Sequence, residues 1–480
     1  MKKLFLTNLA FLVLLNIFIK AFWILGIDRG VQNAVDAADY GLYFALLNFT
    51  YIFNVFIDLG LTNWNNRQIA QYSQLLPKYF SRIIPMKIVM SLLYIVIIFA
   101  VAFIAGKTSY REMMLLFWLG ISQILVSIIL YLRSNISGLL MFKTDSILSV
   151  LDRFLMIIIC SVLLWTTVLK GKFEIEYFVY SQVISYFITA LIAATICLYK
   201  TGFIRLKWSY PFMVKVLKVC FPYALLTLLM SCHNNIGSVM LLRLLKNGEE
   251  AAAVYAAGFR LVDAANMIAY LFSVILLPLF ANMLKRKLNI TEIVKVAFHI
   301  LLTASVCFTL ISQFYNKEII DLMYNKHITE SADVFRILSF YFIPISMTYI
   351  FGTLMTANGN LKLLNIIAFG GMVCNIIINI LLIPQFEALG AALTNFTTQL
   401  FTAIVQIIIV IRLFAIKIRW NYVVRILLFI LTLVGVTFVI RKIFLPWQWL
   451  IIITLIAYVL TALVFRIFSL RSIGSLIERD

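Results

Sequence analysis

Apolar runs of about 20 residues, each closed by a short polar or basic turn, recur along the whole chain. The pattern predicts fourteen helical spans, at 4–26, 40–62, 86–106, 112–131, 146–168, 178–199, 217–242, 251–281, 293–313, 334–356, 362–384, 388–411, 424–440 and 447–467. The tightest division falls at 385–387, where only a short turn separates two runs. Repeated strand-like alternation is absent, which argues against an outer-membrane barrel. The opening "MKKLFLTNLAFLVLL" resembles a signal peptide. Its apolar run continues past Ile24 with no small-residue cleavage site, so it is taken as the first span.

Composition sharpens this to a class. Of the 480 residues, 63% are hydrophobic and 12% charged, with a mean hydropathy of +1.02. A soluble chain of this length has too little interior to hide that much apolar surface. The expectation is an all-α polytopic membrane protein.

Charge sets the orientation. With the N-terminus inside, most of the 40 basic residues fall in loops on the inner side, from Lys2 and Lys3 through Arg67, Lys87, Lys143, Lys207 and Lys287 to Arg479. The positive-inside rule then puts both termini in the cytoplasm. Acids favour the other side, among them Asp28, Asp36, Glu176, Glu249 and Glu318. The net charge of +20 is therefore mostly topology, and no nucleic-acid partner is expected. All six cysteines fall in spans and the three histidines are scattered, so neither a disulfide framework nor a metal site is indicated.

Polar residues in several spans keep to one helical face. Span 1 carries Asn8, Asn16 and Lys20; span 2 carries Asn48, Tyr51, Asn54 and Asp58. Span 7 carries Thr227, Ser231, Asn234 and Ser238, and span 8 carries Arg260, Asp263, Asn266, Tyr270 and Ser273. Steps of three and four place each set on one side, turned away from lipid. The amides admit two readings, helix–helix glue or cavity lining. Charges are costlier, at about 2.5–3.5 kcal/mol each at mid-bilayer on insertion scales. Lys20, Arg153 and Arg336 are expected near enough to span ends to reach the interface. Arg260 lies well inside its span and needs a partner or a wet cavity; Asp263, three residues on, can pair with it. A cavity lined by Arg and Lys suits an anionic cargo such as phosphate.

The chain also echoes itself. Setting Tyr40 on Tyr255 places Asn48 on Asp263, Tyr51 on Asn266 and Asp58 on Ser273. Span 2 then corresponds to span 8, which implies two six-helix bundles related by pseudo-twofold symmetry along the membrane normal. The expected organisation is a first bundle at 1–199, an amphipathic cytoplasmic linker at 200–216, a second bundle at 217–412, and two further helices with a tail at 413–480. The linker "KTGFIRLKWSYPFMVKVLK" and the earlier "RQIAQYSQLLPKYFSRIIPMK" mix basic and aromatic residues, as headgroup-plane segments do.

Three stretches resemble the lipid-linked oligosaccharide (Wzx-type) flippases of the multidrug/oligosaccharidyl-lipid/polysaccharide exporter (MOP) superfamily. They are "YGLYFALLNFTYIFNVFIDLGLTNWNNRQIA" with Asp58, Gly60 and Arg67; "VYAAGFRLVDAANMIAYLFSVILLPLF" with Tyr255, Arg260, Asp263 and Pro278; and "LMTANGNLKLLNIIAFGGMVCNIIINILLIPQFEALGAALTN" with Pro384, Gly390 and Ala391. The resemblance implies a bacterial inner-membrane protein with two six-helix bundles in a V, spans 13 and 14 being added. It would carry an undecaprenyl-diphosphate-linked oligosaccharide from the cytoplasmic to the periplasmic leaflet by alternating access. A proton or sodium gradient is the implied drive, with Asp58 or Asp263 as the coupling acid. Many relatives have an acid in span 7, near Gly237 and Ser238 here; this chain has none, so no coupling role transfers to that position.

On this reading Arg260 contacts the diphosphate or an acidic sugar, assisted by Lys20 and Arg153, and Asp263 orients it. Asn48, Asn54 and Asn234 hydrogen-bond sugars. The expected partners are the lipid-linked substrate, membrane lipids and other polysaccharide-assembly proteins. No cofactor is expected. Two alternatives remain open: a cation-coupled multidrug exporter of the same superfamily, and a membrane polysaccharide polymerase or ligase. The basic cavity weighs against the first. Short outside loops and the lack of a nucleophile motif or phosphate-cradling glycine loop weigh against the second and against an enzyme.

Overall fold

The computed structural model describes residues 18–465 other than 20–21, 105, 107–108, 140, 167–172, 203–204 and 417–419. Among the described residues the structure is helical, without strands. A π-helical stretch, Trp23–Asp28, runs into α1 (Arg29–Ala34). There follow α2 (Ala37–Phe53), α3 (Val55–Asp58), α4 (Leu61–Gln71), α5 (Leu76–Ile104), α6 (Tyr110–Gly138), α7 (Phe142–Trp165) and α8 (Ile175–Thr201). The remainder are α9 (Tyr210–Leu244), α10 (Gly248–Lys285), α11 (Thr291–Met323), α12 (Ile328–Ala357), α13 (Leu361–Leu413), α14 (Trp420–Ile440) and α15 (Trp447–Val464).

Each expected span from the third to the fourteenth falls on one of these helices, and the second is divided among α2, α3 and the start of α4. Eleven described stretches are long and apolar enough to cross a membrane, and Val424–Ile440 is a shorter apolar helix. The 53 residues of α13 would extend about 80 Å at 1.5 Å per residue, far more than one crossing needs. Pro384 and the non-helical Glu387 (φ 49°, ψ −127°) break it where the sequence puts the turn between two spans. Most of the first expected span lies outside the described residues. Apolar side chains face outward at helical spacing, as at Leu92 (64% exposed), Val96 (63%) and Phe103 (76%) of α5. On a helix long and apolar enough to cross a membrane, such a face suits contact with lipid.

Packing divides the chain into two compact units, one up to Ala253 and one from Val254. In the first, α2 packs on α9 and α6, α6 on α8, and α7 on α8. Gly41 of α2 permits the closest approach: an added Cβ would stand 1.7 Å from the Glu249 carbonyl oxygen at the start of α10. Arg111 ties three helices at one end, through Asp39 Oδ1 and Glu176 Oε1, each at 2.6 Å. The two basic–aromatic segments meet in a cluster of Trp64, Tyr79 and Phe212, with Arg82 stacked 5.5 Å from the Phe212 ring centre. In the second unit, α12 packs on α11 and α13, and α14 and α15 pack on each other and on α11. Val306, Phe429, Leu433 and Tyr458 are buried between those last three helices.

Candidate functional site

The polar face of span 2 is bent. Helix α2 stops at Asn54, whose side-chain amide donates to Gln123 Oε1 at 3.3 Å. The four-residue α3 is ended by two left-handed residues, Leu59 (φ 45°) and Gly60 (φ 80°). Glycine accepts that conformation without cost, whereas Leu59 is held in it by its surroundings. The break turns the Asp58 carboxylate toward α5, where Lys87 Nζ lies 2.5 Å from Oδ1. Thr62 donates to the same carboxylate through its hydroxyl and its backbone N–H. Lys87 also donates to Ser127 Oγ at 2.7 Å and the Ser127 carbonyl at 3.4 Å, so its three ammonium protons all have acceptors.

Lys87 corrects the sequence reading, which counts it in an inside loop. Helix α5 begins at Leu76, so Lys87 lies about 16 Å along it, only 3% exposed. A lysine close to an apolar run looks like a loop cation. The clue that would have found it is Asp58, an acid inside a span and in need of a base.

Arg153 is also corrected. Its expected span begins at Ser146, close before it, whereas α7 begins at Phe142 and extends about 17 Å from it in both directions. Its guanidinium stacks 5.3 Å from the Trp23 ring centre and 5.8 Å from that of Tyr186. Asp152 is its ion-pair partner, a long one at 3.9 Å. Around it runs an aromatic wall: Trp23 stacks on Phe178, Phe178 meets Tyr43 edge-on, and Gln182 donates to the Tyr43 hydroxyl at 2.6 Å. The Tyr40 hydroxyl donates to Asp28 Oδ2 at 2.8 Å. Asp28, expected in an outside loop, is 2% exposed within the unit. A half-buried cation against stacked rings can hold an anionic group in a setting of reduced dielectric while the rings offer flat faces to sugars.

The other candidates are placed as follows. Asn48 is buried and donates to the Phe44 carbonyl of its own helix at 2.9 Å. Asn234 is half-buried on α9, beside Asn235, which donates to Ser231. Ser231 in turn donates to the Tyr51 carbonyl at 2.8 Å, a polar tie between α9 and α2. Lys20 lies outside the described residues. Asp58 thus pairs with Lys87 and Arg153 with Asp152, rather than with each other.

In the second unit, Arg260 and Asp263 are half-buried in α10, Arg260 about 18 Å from its start. Asp263 lies within electrostatic reach of Tyr341 and Tyr349 on α12. Asn266 donates to the Tyr349 hydroxyl at 3.5 Å. A separate network between the two halves of α13 is not assigned from sequence. Asn375 donates to Asn395 Oδ1 and to Thr398 Oγ1, both at 3.1 Å, and accepts from Asn379 at 2.8 Å. Asn395 donates to the Tyr255 hydroxyl at 2.5 Å. The signal was present: two asparagines four apart in an isoleucine-rich run must turn inward.

Among the described residues no cluster of His, Cys, Asp and Glu could hold a metal ion, and the six cysteines are free thiols.

The fold resembles that of solved structures from the MOP superfamily. The chain is similar in fold to the lipid II flippase MurJ in an inward closed conformation, at TM-score 0.68 and 15% identity over 98% of this chain and 99% of that one. It is similar also to an inward-facing multidrug resistance MATE family transporter, at TM-score 0.64 and 14% identity over 82% and 94% of the two chains. A MOP superfamily transporter from Pyrococcus furiosus gives TM-score 0.60 and 14% identity over 85% and 95%. At these identities the likeness is one of fold. A curated relative, the capsular polysaccharide biosynthesis protein CapF of Staphylococcus aureus, is 25% identical over 187 residues, 38% of this chain and 46% of that protein. The match therefore spans less than half of that relative. The chain belongs to the polysaccharide biosynthesis protein family, whose sequence model matches residues 6–284, more than half of its length.

Proposed function

We propose that this chain is a flippase that moves an undecaprenyl-diphosphate-linked oligosaccharide from the cytoplasmic to the periplasmic leaflet during surface polysaccharide assembly. It is a transporter and not an enzyme. The carrying observation is Arg153, a half-buried cation midway along a membrane-spanning helix, stacked between Trp23 and Tyr186. The guanidinium suits a diphosphate and the rings suit sugars. Family membership supports polysaccharide assembly as the pathway.

Arg260 serves as the second cation for the headgroup, with Lys20 assisting. Asn234 and Asn54 face sugars, and Asn48 does so once its bond to Phe44 opens. The bundles 1–199 and 217–412 rock about the 200–216 linker in alternating access. Polar ties such as Ser231 to the Tyr51 carbonyl exchange during that motion. A proton or sodium gradient drives the cycle through Asp58 or Asp263. The inner membrane is the site of action, both termini are cytoplasmic, and other assembly proteins act on the product.

The test uses a deletion strain complemented with Arg153→Ala, Arg153→Lys or Arg260→Ala at matched protein level. A hydrogen-bonded charge contact contributes about 1.5–3 kcal/mol, so loss of either arginine should cut surface polysaccharide about tenfold or more. The lysine variant keeps the charge but not the flat fork, and should recover only part. Lipid-linked sugar should accumulate in the cytoplasmic leaflet. Full surface polysaccharide from both alanine variants would sink the substrate role, and restored drug efflux without any glycan phenotype would replace it with a multidrug exporter.

A further inference from the structure

A second charged pocket lies far along the chain from these residues, beyond the stretch matched by the family, and entirely within the second unit. Helix α11 loses helical geometry at Tyr315 (φ −127°, ψ 23°) and resumes toward Glu318. Facing that kink, α14 ends at Ile440 and a five-residue turn leads to Pro446, which caps α15. Between them is an open pocket of about 690 Å³, lined by Tyr315, Glu318, Arg441, Lys442, Trp447 and Leu450 among others. Tyr315 and Leu450 form a buried floor, 1% and 5% exposed.

The turn joins two apolar helices, so it sits where membrane meets water whichever face that is. Its apolar side chains point outward: Phe444 is fully exposed, and Leu445 and Trp449 are 46% and 59% exposed. That is the chemistry of an interfacial anchor. The two cations behave differently. Arg441 lies 5.8 Å from the Phe314 ring centre and Lys442 lies 5.2 Å from that of Phe438. Neither forms an ion pair with a described carboxylate, although Glu318 lines the same pocket. Two like charges lining one pocket favour an anion within it. A carboxylate across the pocket disfavours a bare polyanion but accepts a hydrogen bond from a headgroup ammonium or hydroxyl.

We propose that this pocket binds the headgroup of a membrane glycerophospholipid, Arg441 and Lys442 taking the phosphate oxygens and Glu318 accepting a hydrogen bond from the headgroup's ammonium or hydroxyl. Exposed Phe444 and Leu445 then lie alongside the acyl chains. The site does not depend on which cargo the protein carries.

The experiment uses the full chain purified in detergent. Lipid binding is read by native mass spectrometry with dioctanoyl phosphatidylethanolamine and dioctanoyl phosphatidylglycerol, with inorganic phosphate as the lipid-free arm. One lipid should be retained per chain. The double variant Arg441→Gln/Lys442→Gln should weaken retention about tenfold or more, each basic contact near a headgroup counting for a several-fold effect. Glu318→Gln should leave phosphate affinity intact and change the ratio between the two lipids. Unchanged retention in the double variant, with the protein still monodisperse by gel filtration, overturns the proposal. So does displacement of the lipid by millimolar inorganic phosphate, which would make this a site for a free anion.

Discussion

Each unit contains a polar cluster inside its helix packing, and the two clusters are of different kinds. In the first unit, Asp58 and Lys87 lie 2.5 Å apart, supported by Thr62 and Ser127. In the second, Asn375, Asn379, Asn395, Thr398 and Tyr255 form a chain of neutral hydrogen bonds that links the two halves of α13 to each other and to α10. The ionic cluster sits beside a backbone irregularity, Leu59–Gly60, whereas the amide cluster joins regular helical stretches on either side of Glu387. The ionic cluster leaves an intact charge behind when one member is removed. The amide cluster leaves only an unmet hydrogen bond. The first should therefore fail abruptly and the second by degrees.

The sharpest way to break that contrast is Lys87→Met. Removing one partner of a buried pair costs about 3–5 kcal/mol, because the remaining charge is uncompensated. Asp58 keeps 28% of its side chain exposed and retains Thr62, so the lower end of that range is expected. Thermal unfolding in detergent should show the loss. Adding Asp58→Asn to the same chain should recover much of it. If the single variant were as stable as the parent, the pair would be a surface contact in energetic terms and the contrast would collapse.

A smaller effect is expected from Asn375→Ala. It removes two donated bonds and one accepted bond, and strands Asn379, whose Oδ1 already has no hydrogen-bond partner among the described residues. Leaving buried polar groups unmet costs about 1–3 kcal/mol. Asn375→Asp separates geometry from charge. If the network tolerates only neutral groups, the aspartate should destabilise at least as much as alanine at neutral pH. An aspartate that stabilised the protein would show that the cluster accommodates an ionised group, and would erase the distinction between the units.

The same contrast explains what could be read from the sequence. Hydrophobic run length located each span from the second onward, including the break inside α13, because bilayer thickness acts on every crossing alike. Charge counting placed Lys87 and Asp28 in loops, yet both are buried within the first unit. Helix α5 starts ten residues before the apolar run that marks it, and the burial of Asp28 depends on Tyr40, which approaches only after folding. Arg153 was misjudged for a related reason: its distance from a span end depends on where α7 begins, and Phe142 at that start lies ahead of the apolar run. Asn48 illustrates the limit of face patterning. Periodicity gave its side of the helix, but its amide turns back to the Phe44 carbonyl. The amide network was visible as residues but not as a network, since Tyr255 and Asn395 are 140 positions apart.

The finest test is a double-mutant cycle on that last bond, with Tyr255→Phe and Asn395→Ala made singly and together. Hydrogen bonds between spanning helices couple by about 0.6 kcal/mol on average and about 1.7 kcal/mol at most, because helices separated within lipid find other partners for their amides. The 2.5 Å contact between Asn395 Nδ2 and the Tyr255 hydroxyl should fall in that range. The corresponding cycle on Asp58 and Lys87 should give a larger coupling, since an ion separated from its partner in lipid has no comparable substitute. Equal couplings would mean that packing around each cluster, and not the charge within it, determines how firmly it holds its unit together.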